Sequence, residues 1–150
     1  MSDPVDDLAH DHGELNRKVL DLAAVVAGRR TLTDEDLVVE LRDLREQMFF
    51  HFAREEEGLF PFVAELLPEY ETRVAEMTLA HDTICGSVAR MVHIAATTTD
   101  DRERKLREVF DRFETAYAGH AKIETELFAA LATRLDATQR ARLQALVDDL

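Results

Sequence analysis

The sequence predicts an all-α protein, an up-down four-helix bundle with a short C-terminal fifth helix. Three observations predict it. Glycine and proline number only five and three in 150 residues, so long segments run without a breaker. Those segments repeat apolar residues with the 3.6-residue period of an amphipathic helix, and none sustains the period-two alternation of a half-buried strand. Four of them are long enough to pack around one shared core.

The first helix starts near Asp3-Pro4, a cap residue followed by proline at the first helical position. Its apolar stripe reads Val5, Leu8, His12, Leu15, Val19, Leu22 and Val26, and Gly28 closes it. Thr33-Asp34-Glu35-Asp36 opens the second helix, whose stripe is Val38, Leu41, Leu44, Met48, His51 and Glu55. Gly58 and Pro61 should disturb this helix, and a short segment to Leu67 leads into Pro68. The third helix covers Glu69 to Ala96, with Val74, Met77, His81, Ile84, Val88, Met91 and Ala95 on one face. The segment TTTDD (97–101) supplies a turn and a cap. The fourth helix carries Leu106, Val109, Phe113, Tyr117, His120, Glu124, Leu127 and Leu131, and Asp136 caps a fifth that runs to Leu150.

Composition narrows the function classes. The length suits a single domain over residues 1–150. A net charge of −13, from 18 basic and 31 acidic residues, opposes a nucleic-acid partner or an anionic membrane surface. No apolar run approaches a bilayer span, and MSDPVDD does not read as a signal peptide, so the expected location is cytoplasmic. Cys85 is the single cysteine, which rules out an internal disulfide.

The chemistry lies on the stripes. Each long helix places one histidine there: His12, His51, His81 and His120. Two are followed four residues later by a glutamate, Glu55 and Glu124, on the same helical face. A buried unpaired carboxylate costs several kcal/mol unless it is paired or coordinates a metal. The spacing is repeated. His12 to His51 and His81 to His120 are both 39 residues, and the pattern H–x38–H–x3–E recurs with an offset of 69. The surrounding sequence echoes it, with Leu15 matching Ile84, Val19 matching Val88 and Leu59 matching Phe128. Two hairpins related by a pseudo-two-fold would bring both sets to one level of the bundle. Four imidazoles and two carboxylates suit two metal ions, each with two histidines, if both glutamates bridge. Nitrogen and oxygen ligation without thiolate fits iron or manganese, with zinc a third option. Two carboxylates carry too little charge for a diferric pair alone, so an oxide or hydroxide bridge fits such a centre.

Four stretches carry a family resemblance: HDHGELNRKVL (10–20), HFAREEEGLFP (51–61), AHDTI (80–84) and HAKIETELF (120–128). The chain resembles the hemerythrin-like HHE cation-binding proteins over about residues 4–131. The resemblance implies an up-down four-helix bundle around a non-heme di-iron centre. It makes His12, His51, His81 and His120 terminal ligands, with Glu55 and Glu124 as bridges. The sequence departs from the oxygen-carrying hemerythrins. Met77 stands where they have the earlier of two third-helix histidines, and His120 and Glu124 are four apart where theirs are five. The set is one histidine short, which opens a second coordination position. It moves the chain toward four-histidine, two-glutamate members that respond to iron or oxygen, or handle peroxide and other reactive species.

Other residues read as follows. Tyr117, three residues before His120, directs its hydroxyl into the metal-bearing core, either as a packed residue hydrogen-bonded to a ligand glutamate or water, or as a second donor or a ligand at the position Met77 leaves open. Met77 is core filler, and Cys85 a small buried hydrophobe. Glu56 and Glu57 are solvated. His10 is exposed, and His93 lies about 18 Å along the helix from His81, too far to share the site. The eight phenylalanines, Phe49 and Phe50 included, are mostly core and would keep the site dry.

Two function classes follow. One is a non-heme di-iron protein whose open positions let dioxygen or peroxide react, an oxidoreductase. The alternative is reversible dioxygen or nitric oxide binding, or iron or oxygen sensing, without turnover. No substrate or electron-donor motif separates them. A mineral iron store is not expected from six ligands.

Overall fold

A computed structural model describes residues 3–98 and 100–148. Met1, Ser2, Thr99 of the expected TTTDD turn, and the expected helix end at Leu150 lie outside the described residues. Among those described the chain is all-α. Helix α1 spans Pro4–Val26, α2 Asp34–Arg54, α3 Phe60–Leu66, α4 Glu71–Thr97, α5 Arg102–Arg134 and α6 Ala137–Asp148. A π-helical turn, Glu55–Leu59, joins α2 to α3, and a 3₁₀ turn at Pro68–Tyr70 leads into α4.

The ends follow local chemistry. The Asp3 carboxylate accepts from the Val5 and Asp6 amides ahead of α1, and Pro4 takes the first position, where no amide is needed. Gly28, at φ +78°, closes α1 in a left-handed conformation that glycine adopts without strain. Thr33 caps α2 by accepting from the Asp36 amide at 3.1 Å. Asp136 and Gln139 satisfy each other's amides ahead of α6, at 2.8 and 2.9 Å, a reciprocal capping box. Asp101 does not cap α5 with its side chain as TTTDD led us to expect. It adopts φ 54°, and only its carbonyl joins the helix, accepting from the Lys105 amide.

Burial follows the sequence stripes with two differences. Leu37, not Val38, is the buried residue at the start of α2, and Val26 and Val74 are only half-buried. The core falls into two apolar clusters. One holds Leu15, Val19 and Leu22 of α1, Leu41 and Met48 of α2, Ile84 and Val88 of α4, and Phe113 and Tyr117 of α5. The other holds Val5 and Leu8 of α1, Leu59, Phe60 and Val63, Met77 of α4, Leu127 and Leu131 of α5, and Leu143 and Val147 of α6. On α1, α4 and α5 the stripe histidine stands between two sets of apolar residues, and after His51 the second set lies on the π-turn and α3.

The π-turn corrects the repeat. Leu15 and Ile84 share a cluster, as do Val19 and Val88, in keeping with the offset of 69. Beyond Glu55 the offset becomes 68. Leu59 then corresponds to Leu127 rather than Phe128, Phe60 to Phe128, Val63 to Leu131 and Leu67 to Leu135, and all eight are buried. The wide turn absorbs one extra residue and returns the apolar stripe to the core. Pro61, in the first turn of α3, supplies no amide to the helix that precedes it. The turn also seats α6: a Cβ on Gly58 would lie 3.3 Å from the Leu146 carbonyl oxygen.

Candidate metal centre

The six stripe residues meet. His12, His51, His81, His120, Glu55 and Glu124 are all buried, although they stand on α1, α2, the π-turn, α4 and α5. Their ligating atoms form two groups, each within 4.8 Å. One joins His12, His51 and Glu124, and the other His81, His120 and Glu55. The sequence offset maps one group onto the other. Each group takes a histidine from α2 or α5 and its glutamate from the opposite one of those two segments. The i, i+4 pairs are therefore divided between the groups.

The contacts across the centre are short. His51 Nε2 lies 3.1 Å from Glu124 Oε1 and 3.2 Å from Glu55 Oε2. His81 Nε2 lies 3.0 Å from Glu55 Oε1, and His120 Nε2 lies 2.7 Å from Glu124 Oε2 and 3.6 Å from Glu55 Oε1. His12 Nδ1 is 3.5 Å from Glu124 Oε1. Of these, only His51 to Glu124 has the alignment of a hydrogen bond. Both nitrogens of His81 and of His120, both oxygens of Glu55 and Glu124 Oε2 are buried without a hydrogen-bond partner. Protein cores avoid such orphans. Donor atoms that crowd together yet fail to bond one another are arranged for something between them, and neutral imidazoles with carboxylates are a hard-to-borderline donor set for a divalent metal. The residues fit metal binding.

The electrostatics agree. Burial and the Glu124 charge push the Glu55 carboxyl well above the usual range. Burial acts on Glu124 in the same sense, but its close polar contacts with Glu55, His120 and His51 outweigh it and hold the carboxyl well below the usual range. Burial alone would lower His51, yet the Glu55 charge, the hydrogen bond to Glu124 and the close contact with Glu55 raise it to about 10. His81 drops to about 3 through burial and the neighbouring His120, and burial lowers His12 as well. Without metal, the raised His51 ring carries positive charge against the glutamates, and Glu55 is shifted toward its protonated form.

The hemerythrin HHE cation-binding domain family matches residues 3–132. The chain belongs to this family. No curated protein and no solved structure matches the chain.

Within this hemerythrin HHE domain, the surroundings of the six residues differ from expectation in several places. Tyr117 is buried beside His12, its ring stacked at 6.3 Å, but its hydroxyl does not turn to a glutamate. It donates to Asn16 Oδ1 at 2.5 Å. Met77 falls in the other apolar cluster from Tyr117. Asn16 had a legible signal: a polar residue four after His12, on the same stripe. Glu56 is exposed, with Oε1 3.4 Å from His81 Nδ1. Phe52 stacks on His81 at 3.7 Å and meets His120 edge-on at 5.3 Å, whereas Phe49 and Phe50 are 50% and 56% exposed rather than core. Cys85 is half-buried, and burial raises its thiol to about 11. His10 is exposed beside Glu14, and His93 is exposed beside Thr97, away from the six. No helix among the described residues is long and apolar enough to cross a membrane.

Proposed function

We propose that the chain is a non-heme di-iron protein that binds or reduces dioxygen or peroxide, formed by a single domain over residues 1–150. His12, His51, His81 and His120 act as terminal ligands, with Glu55 and Glu124 as bridges. The carrying observation is the pair of matched groups, each of two histidines and one glutamate, with ring nitrogens and carboxylate oxygens orphaned between them. The up-down bundle belongs to this reading. Along α1 and α4 the second apolar cluster comes before the histidine, and along α2 and α5 it comes after, as alternating helix directions require.

A ferrous pair, when bound, supplies electrons and open coordination positions to a small ligand. The chain's own residues prepare the place. Phe52 and Phe60 stack on His81, at 3.7 and 5.6 Å, fixing the ring and excluding water. Tyr117 stacks on His12, and Asn16 holds Tyr117 in turn. Glu55 and Glu124 are wholly buried, so their oxygens have no solvent to turn to.

A second reading, reversible binding or sensing of dioxygen or nitric oxide, is favoured by one observation: the Tyr117 hydroxyl is engaged with Asn16 and is not free to donate a proton toward the centre. The visible spectrum separates the two. Apo-protein is loaded with two equivalents of ferrous iron without air, given a pulse of dioxygen, then purged. A band that persists until a reductant is added supports reduction of dioxygen. A band that fades on purging supports reversible binding. Failure to take up iron rejects both.

A further inference from the structure

A cavity opens between α1 and α2, with Asp11, Glu14, Asp43, Glu46, Phe50 and His51 among its eight lining residues. Four of the eight are carboxylates. His51 is the deep wall. It is 3% exposed, its Nε2 faces the two glutamates of the centre, and its Nδ1 is buried with no protein partner. The cavity therefore runs from an acidic surface to the buried ring of a residue of the proposed centre.

The sister half of the repeat lacks these acids. At the offset of 69, Asp11, Glu14, Asp43 and Glu46 correspond to Ala80, Thr83, Arg112 and Thr115, while His51 corresponds to His120. The bundle thus packs without carboxylates at these places. Two of the four are already answered, Asp11 by Arg54 and Asp43 by Lys18. Glu14 meets only the exposed His10, at 3.5 Å. Glu46 has no cationic partner among the described residues.

We propose that this cavity is an outer docking station for a divalent cation and its way in to the His12, His51 and Glu124 half of the centre. The inference rests on the dinuclear reading above. Glu14 and Glu46 attract the hydrated ion, and Phe50 walls one side of the cavity. His51 is the residue of the proposed centre that the cavity touches. Carboxylates at the mouth of a cleft raise the local concentration of a cation and its rate of arrival, without altering the final site.

The test is the rate of Co²⁺ uptake by metal-free protein, followed in a stopped-flow by the visible bands of bound Co²⁺. Three proteins are compared: the parent, E14Q/E46Q, and E103Q/E108Q, which makes the same charge change at exposed acids of α5. At low ionic strength E14Q/E46Q should load about ten-fold more slowly than the parent, and E103Q/E108Q at close to the parent rate. Final Co²⁺ content should be the same in all three, and high salt should narrow the difference. Equal slowing in both variants, or in neither, overturns the docking station while the dinuclear reading stands. No uptake by any of the three overturns both.

Discussion

His51 and Glu124 are 73 residues apart in the chain, and their side chains are 3.1 Å apart, buried, and joined by a hydrogen bond. The contact ties α2 to α5 at the level of the six clustered residues. It also pairs a raised imidazole with a lowered carboxyl, so that the metal-free core holds a buried ion pair.

Removing one partner of such a pair leaves the other charged and unsatisfied. Glu124→Ala should therefore destabilise the metal-free protein by about 3–5 kcal/mol and lower its metal content below that of the parent. Glu55→Ala should also lose metal. His93→Ala should leave metal content unchanged. Elemental analysis checks all three, and full metal retention in the Glu124 variant would reject its assignment as a bridge.

Metal should displace protons. At neutral pH the raised His51 ring keeps a proton beyond the neutral imidazole, the Glu55 carboxyl is shifted in the same direction, and ligation requires the His51 proton to leave. Loading at pH 7 should release about one proton per chain or more, which a pH indicator dye in weak buffer reads directly. Metal uptake without proton release would contradict the proposed protonation state.

The stability of the metal-free protein should fall on the alkaline side. His51 is raised from the ordinary 6.5 to about 10 in the folded state, so between those values the folded chain holds a proton that the unfolded chain has lost. Its contribution is complete below pH 6.5 and disappears by about pH 10. Across that window it lowers stability with rising pH by at most about 1.4 kcal/mol per pH unit. The raised Glu55 acts in the same direction. Thermal melts from pH 7 to 10 should show the fall in metal-free protein and a flatter profile once metal has replaced the protons.

Tyr117→Phe should leave metal content intact and lower stability. The substitution keeps the stacked ring and orphans the half-buried Asn16 amide, at a cost of about 1–3 kcal/mol. A changed metal content would instead place the hydroxyl at the centre, against the observed bond to Asn16.

The all-α class and the gathering of the six residues were legible because both depend on period. Burial at every third or fourth residue writes the helices into the sequence. His12, His51, His81, His120 and Glu124 lie in regular helix, and Glu55 opens the π-turn before its extra residue is added, so the repeated spacing carries directly into space. What the sequence withheld depends on partners far along the chain. The Tyr117 hydroxyl bonds to Asn16, 101 residues away, and no local pattern favours that partner over a glutamate. Phe49 and Phe50 have the composition of core residues, but their angles on α2 point them outward. The π-turn was visible only as an irregularity: Gly58 and Pro61 marked a disturbance without saying that one residue would be added and the stripe recovered.

That added residue makes the two hairpins non-interchangeable parts. Any substitution within α2 or α5 leaves the count of residues between Glu55 and Leu59 unchanged, so point changes cannot restore strict equality between the halves. The halves are also finished differently, because Gly58 on the wide turn receives α6, while its sister position on α5 is part of a straight helix. A chain made by duplicating residues 1–69 would repeat the wide turn but carry no α6 to lie on either copy. It would leave one end of the bundle uncovered. The final helix thus behaves as a keyed cap, fitted to one half of a nearly symmetric body.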